Sequence, residues 1–405
     1  MDILIKNSKL REKQYNVHIG INKGKICSII PSNSDFNADI EKNTSNIIDA
    51  GGHLVTPGFI EPHLHIDKCF TGRKSSSGYY PDKTGDTDTG ESVYNTACHV
   101  IKAALQNGVT AIRAHVDINP SIGLKNLEAV IEAKKHFNGI FHLQVCPFPS
   151  HGLFRDKALQ RLMKKAVRKG ADAIGGNPAS EMTWEDSKNH IDFCFKLAKY
   201  YGKPLDIHID ETCDPSSKEL EYLASKKIKD NYTGSVTASH VCALSSYNQD
   251  HAHKIISLVK ESGISIILMP ATDLMVHGCC NRNLKTIRSA GINVAYAQNH
   301  ICSNSYRGWG KPDPLYTGTL MAHSAQLCTD DEIEFLYDMA TFNSARILGH
   351  PEHRIAEGAP ANMIIVDSPD ISEAFRHMPA RLFVISRGKL AASAGCGYQL
   401  FLDEL

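Results

Sequence analysis

The sequence has no excess of charge of either sign: 44 Lys and Arg stand against 44 Asp and Glu in 405 residues. Without a basic or acidic surplus it shows no electrostatic footprint for nucleic acid or a membrane surface. No apolar run approaches the roughly 20 residues that span a bilayer. The 12 cysteines include neither a Cys-x-x-Cys pair nor zinc-finger spacing, and Cys279-Cys280 are simply adjacent. The start, Met1-Asp2-Ile3, has no basic segment followed by an apolar core, so no signal peptide is expected. The closing Leu402-Asp403-Glu404-Leu405 resembles an ER-retention tail, which has no meaning without an entry signal. These absences lead to the expectation of a soluble, cytoplasmic protein in a reducing compartment, with no nucleic-acid and no membrane partner. At 42% hydrophobic and 22% charged residues the composition is that of a globular protein. The length accommodates a large barrel with a small appendage.

What is present centres on Glu61-Pro62-His63-Leu64-His65-Ile66-Asp67. It follows the apolar run Leu54-Val55-Thr56-Pro57-Gly58-Phe59-Ile60, which reads as a buried strand after Gly51-Gly52. Side chains alternate along a strand, so His63 and His65 project to one side. Imidazole is a common ligand for zinc and iron, and the pair suggests half of a metal site at a strand's end.

Before this stretch, short β-branched runs at 2–5, 15–21 and 25–30 indicate a small β module, with Asn22-Lys23-Gly24 as a turn. After it, residues 70–91 are rich in Gly, Ser, Asp and Lys and read as a loop. With 303–314 this loop is expected to cover a pocket. Then a unit repeats. Apolar runs at 109–116, 141–148, 171–175, 204–209, 235–241, 264–269 and 292–297 alternate with amphipathic helical patterns such as Val100-Ile101 with Ala104-Leu105. With the Leu54 run this makes eight strands of a buried parallel sheet. The expected class is α/β, a (β/α)8 TIM-type barrel over 56–349, with an open doubly wound sheet as the lesser reading. After a helical region at 330–348, strands at 361–367 and 381–386 join the N-terminal ones. Residues 1–55 and 350–405 are thus expected to form one small β-sandwich from both chain termini.

Functional residues of barrels gather where strands end. There the sequence places Ala114-His115-Val116-Asp117, then Pro147-Phe148-Pro149-Ser150-His151, His208-Ile209-Asp210-Glu211, Ser239-His240 and Gln298-Asn299-His300. The run 57–68, these segments in this order, and Leu268-Met269-Pro270-Ala271-Thr272-Asp273-Leu274 resemble the amidohydrolase superfamily. The branch they resemble contains cytosine deaminases and N-isopropylammelide amidohydrolase, and the resemblance covers nearly the whole chain. It implies one divalent metal ion, zinc or iron, with His63, His65, His208 and, weakly, Asn299 as ligands. Glu211 would move protons, and His240 would polarise or hold the metal-activated water. The fourth strand reads Ala173-Ile174-Gly175-Gly176, so the bridging lysine of binuclear relatives is missing and one metal is favoured.

Two departures bear on activity. Asn299 stands where the family has an aspartate, and an amide cannot accept the water's proton. A lost general base is typically worth roughly 10²–10⁴ in rate. Ser150 stands where cytosine deaminases carry a glutamine, which argues against cytosine itself. Ser150, His151 and His300 are the expected substrate contacts. The function implied is hydrolysis of a C–N bond, by deamination or amide hydrolysis, in a small nitrogen heterocycle attacked by metal-bound hydroxide. A homo-oligomer is compatible with that reading. The alternatives are ring-opening of a cyclic amide, or a metal-containing binding protein impaired through Asn299.

Overall fold

The computed structural model describes residues 1–33, 41–71, 90–278, 280–303 and 310–394. The central parts of the expected cover, 72–89 and 304–309, lie outside these residues, as do Cys279 and the Leu402–Leu405 tail. The described residues fall into two compact units. The first draws on Met1–Gly58, Leu105–Gly108 and Arg354–Leu405, the second on Phe59–Ala104 and Val109–His353.

In the first unit, β1 (Ile3–Ser8), β2 (Val17–Asn22), β3 (Lys25–Pro31) and β4 (Asn46–Asp49) form a sheet in the order β3-β2-β1-β4. The expected turn joins β2 to β3. Lys23 and Gly24 both have positive φ, 49° and 77°, as a tight two-residue hairpin requires. β5 (Leu54–Pro57) pairs antiparallel with β14 (Met363–Val366), Val55 opposite Ile365, in a second sheet completed by β15 (Arg381–Ser386) and β16 (Lys389–Ser393). Ile3, Ile5, Ile19 and Ile21 of one sheet share a core cluster with Val55, Met363, Ile365 and Ile385 of the other.

One expectation is corrected here. The Leu54 run does not open the repeating series: β5 belongs to the first unit, and the series starts at β6 (Phe59–Leu64). Pro57-Gly58 interrupts what reads as a single apolar run. Hydrophobic periodicity shows that both halves are buried, and it carries no information on which partner each half has.

The second unit holds β6 and seven further strands: β7 (Val109–Asp117), β8 (His142–Phe148), β9 (Ile174–Gly176), β10 (Leu205–Ile209), β11 (Val236–His240), β12 (Ser265–Leu268) and β13 (Val294–Tyr296). β6-β7-β8 pair in parallel, and so do β9 through β13 in sequence order. Between β8 and β9 the Asp172 amide donates to the Val145 carbonyl at 2.7 Å. Past β13, the His65 amide donates to the Asn299 carbonyl at 2.8 Å. Helices alternate with the strands, among them Trp184–Tyr201 and Gln249–Ser262. Their N-caps Thr183 and Asn248 accept from the third residue's amide, and Gly202 and Gly263 end them at positive φ. The unit is α/β with parallel strands.

The Ala173–Gly176 stretch has a steric explanation for its glycine. A Cβ on Gly175 would lie 2.1 Å from the Pro147 carbonyl oxygen, in the backbone of β8. No side chain fits at that position. Gly175→Ala should therefore lower the thermal unfolding midpoint, at a cost on the order of 1–3 kcal/mol or above. An unchanged midpoint would show that β8 and β9 do not approach this closely.

Candidate active site

Alternation along the strands sets side chains two apart on a common side. His63 lies on β6 and His65 directly after its end, Arg113 and His115 lie on β7, and Asp206 and His208 on β10. Beyond these ends the chain turns through left-handed backbone at Asp210, His240, Val241 and Asn299, with φ of 51°, 80°, 51° and 64°. A β-branched residue such as Val241 adopts this region only where surrounding bonds impose it. Its amide donates to the Ile209 carbonyl at 2.9 Å.

The structure brings the three expected imidazoles together. The Nε2 atoms of His63 and His65 are 3.5 Å apart, and those of His65 and His208 are 3.1 Å apart. All three rings are buried. Burial, reinforced by the neighbouring histidines, pushes each well below its ordinary pKa, so the rings are neutral at pH 7. Neutral imidazoles with converging lone pairs repel unless a cation or a shared proton lies among them. His63 is also held in the matching tautomer: its Nδ1 lies 3.1 Å from Ser239 Oγ, which donates to Asp206 Oδ1 at 2.7 Å. These residues could hold a metal ion, and the donor set suits zinc or iron.

Asp206 is fixed from below. Arg113 donates to its Oδ2 at 2.9 Å, and His115 Nε2 is 3.5 Å away. Burial alone would raise this carboxyl, but His115 and Arg113 prevail and hold it at about 2. The ring of His115 stacks on that of His63 with centroids 3.7 Å apart.

In front of the imidazoles lies a cavity of about 340 Å³. Its walls include His65, His208, Glu211, His240, Asn299 and His300. Glu211 Oε1 is 3.8 Å from His240 Nδ1. The His300 ring stacks on His65 at 4.6 Å. Asn299 donates through Nδ2 to Thr272 Oγ1 at 2.9 Å, and its buried Oδ1 has no hydrogen-bond partner. Ser150 and His151 are not on these walls; they bond to each other at 3.2 Å, and His151 is exposed.

Sequence reasoning did not assign Lys68, Phe148, Asn177 and Val276, which complete the walls. It also gave no role to Arg113 and Asp206. The signal for the last two was available: a charged residue inside an apolar strand must be paired.

Glu211 is positioned by the corner before it. The Asp210 carboxylate accepts from Ser217 Oγ at 2.5 Å and from the amides of Glu219 and Leu220 at 3.0 and 3.2 Å, capping the helix Glu219–Lys229. Glu219 returns the contact, accepting from the Asp210 amide at 2.8 Å. Burial, then the charge of Asp210, pushes Glu219 up to about 8.

Converging imidazoles, a carboxylate and a pocket at the carboxyl ends of parallel strands are the parts of a metal-dependent hydrolase. The chain belongs to the amidohydrolase family, whose model matches residues 54–391. It is 29% identical to the N-isopropylammelide isopropyl amidohydrolase of Pseudomonas sp. (strain ADP), over 96% of both chains. It is 25% identical to a pterin deaminase of Rhizobium rhizogenes, over 83% of this chain and 80% of that one. The structure of 5-methylcytosine deaminase from Klebsiella pneumoniae liganded with phosphonocytosine superposes with a TM-score of 0.87 at 30% identity, covering 98% of this chain and 100% of that chain. The resemblance carried by 57–68 and the later strand ends is borne out. The chain is an enzyme, a deaminase-like hydrolase acting on C–N bonds other than peptide bonds. Among the described residues no helix is long and apolar enough to cross a membrane.

The Glu219 carboxyl has a pH consequence. Its folded pKa is raised, so between about 4.5 and 8 the folded state holds a proton that the unfolded state releases. Stability from this group is full below that window and is lost as pH rises through it. Glu219→Gln, which keeps an acceptor for Asp210, should flatten the decline in unfolding midpoint between pH 5 and 8. The slope removed is at most about 1.4 kcal/mol per pH unit. Parallel profiles for the two proteins would contradict the protonated carboxyl.

Proposed function

We propose that this chain hydrolyses an exocyclic or ring C–N bond of a small nitrogen heterocycle, with His63, His65 and His208 as ligands of one zinc or iron ion. The convergence of their Nε2 atoms beside Glu211 and a cavity of about 340 Å³ carries this reading. That volume suits a ligand of one or two rings. Relatives named for an ammelide, a pterin and a methylcytosine support a nitrogen heterocycle as the substrate class.

Around this site we propose a (β/α)8 barrel. The bonds from β8 to β9 and from His65 to Asn299 support closure. A β-sandwich of both termini, about 1–55 and 350–405, would accompany it, supported by the shared core of its two sheets.

When bound, the ion would supply a water acidic enough to attack at neutral pH. Glu211, on the cavity wall, would take a proton from the attacking water and deliver it to a ring nitrogen, then carry a second from the newly added hydroxyl to the departing nitrogen. His240, 3.8 Å from Glu211, orients the attacking water. Asn299, whose Nδ2 is fixed by Thr272, would offer its Oδ1 to the same water or to the ion. His300 meets the ring from the wall, and Ser150 with His151 would reach it through a movement of their loop. The neutral Asn299 amide favours one competing reading, a protein that binds the heterocycle without turning it over.

The test is a screen of aminated and alkylaminated oxotriazines, cytosines and pterins with metal-loaded protein. Released ammonia or amine would be measured against ring-opened product. Amine release is expected. Absence of any product, before and after Asn299→Asp, would leave the binding-protein reading.

Two substitutions sharpen this. His208→Ala should lose most bound metal by elemental analysis, and full stoichiometry would sink the ligand assignment. Asn299→Asp keeps the Thr272 contact, because the hydroxyl can donate instead of accept, and adds a base. It should raise kcat by roughly 10²-fold with little change in substrate affinity. A neutral or harmful effect, with His240→Ala the more damaging change, would mean that His240 takes the proton.

A further inference from the structure

Behind the cavity wall a second set of donors converges on His240. Cys242 lies in the short helical turn Cys242–Ser245 after β11, and Asp273 opens the turn Asp273–His277 after β12. Cys242 Sγ donates to Asp273 Oδ1 at 3.1 Å. One donor atom from each of His240, Cys242 and Asp273 lies within 4.8 Å of the other two. The three residues are 1%, 3% and 1% exposed. Among the described residues neither ring nitrogen of His240 has a hydrogen-bond partner, although both are buried. The left-handed backbone of His240 and Val241 holds the imidazole and the thiol in one turn.

Imidazole, thiol and carboxylate are the donors of zinc-type ions, and the thiol excludes magnesium and calcium. Bonds of about 2.0–2.3 Å around a tetrahedral ion put its ligands roughly 3.3–3.8 Å apart. Cys242 and Asp273 are already at 3.1 Å, and the spacings to His240, at most 4.8 Å, need a closure of up to about 1.5 Å. None of the three residues belongs to the His63, His65 and His208 trio.

We propose that His240, Cys242 and Asp273 form a second metal site, selective for thiophilic divalent ions such as zinc and cadmium, whose occupancy inhibits the enzyme. Binding replaces the thiol proton by the ion, and the proton leaves to solvent, with no change of oxidation state. The ion also takes a lone pair of His240 and fixes the ring away from the reacting water. The inhibitory half rests on the role of His240 given above; the binding half does not.

The experiment uses protein carrying one equivalent of zinc, in a Cys27→Ser/Cys328→Ser background that removes two exposed thiols. Cadmium is titrated in, and three quantities are followed: bound metal by equilibrium dialysis, the ultraviolet thiolate-to-cadmium charge-transfer band, and turnover. One further equivalent should bind with that band, and turnover should fall tenfold or more. Cys242→Ser should abolish the band and the inhibition while keeping the first equivalent and the basal rate. Asp273→Asn, which leaves the thiol in place, should weaken the second equivalent at least tenfold. A band that persists in Cys242→Ser, or no second equivalent in the parent, overturns the site. A second equivalent without loss of turnover overturns the inhibition. If no substrate is turned over, the dialysis and the band still decide the binding half, so a failure of the functional reading is told apart from a failure of the site.

Discussion

The second unit depends on one buried charge pair, Arg113 with Asp206. Both side chains are essentially inaccessible, and the guanidinium is 2.9 Å from the carboxylate. Removing either partner would leave the other as an uncompensated charge in the interior, at a cost of roughly 3–5 kcal/mol. Arg113 uses its remaining donors on Gln144 Oε1 and the Ile347 carbonyl, and Gln144 in turn donates to the Leu348 carbonyl. The same carboxylate accepts from Ser239, which meets His63. One ion pair therefore ties β7, β8, β10 and β11 to the end of the helix Ser344–Leu348, and also sets the tautomer of the first imidazole. Fold and site share their anchor.

That sharing explains what could be read in advance. Side chains two apart on a strand face one way, so His63 with His65 and the ends at His208, His240 and Asn299 were visible as a rim before any coordinates. The (β/α) repeat was legible for the same reason. The pairing of Arg113 with Asp206 was not, because 93 residues separate them and a strand pattern carries no contact information. The division of the Leu54–Ile60 run between two units was hidden likewise. It depends on β14, a strand some 300 residues later whose own apolar pattern is compatible with many partners. Asn177 reaches the cavity from the chain just after β9 and Val276 from the short helical turn Asp273–His277, segments too brief for periodicity to mark which side chain turns inward.

Glycine and left-handed backbone carry much of the local precision. Gly175 lets β9 approach β8 where any side chain would collide with Pro147. The positive φ values at Asp210, His240 and Asn299 each fall one step from a residue that faces the cavity, or on it. Strain of this kind persists where surrounding bonds over-determine it. Here the Asp210–Glu219 cap and the Val241 amide bond supply those constraints.

The charges around the trio limit which partners it favours. Asp206 is ionised, but Arg113 cancels it. Glu61, which accepts from the His63 amide at 3.2 Å, is pushed up to about 8 by burial, so at neutral pH it adds no charge. Asn299 contributes an uncharged amide, and the imidazoles are neutral. Lys68 brings a cation to the cavity wall, 3.6 Å from Asp117. Apart from Glu211, the walls therefore offer little to balance a bound cation. With an ion bound, the site would carry net positive charge and would stabilise negative charge that enters it. Under the function proposed above, it would favour a heterocycle that carries an ionisable oxo or imide group, and the ionised form of an attacking water. On the proposed reading, an amide at Asn299 would withhold a base and would also leave the water easier to ionise than a carboxylate would, so its effect on turnover would be the difference between two opposed terms.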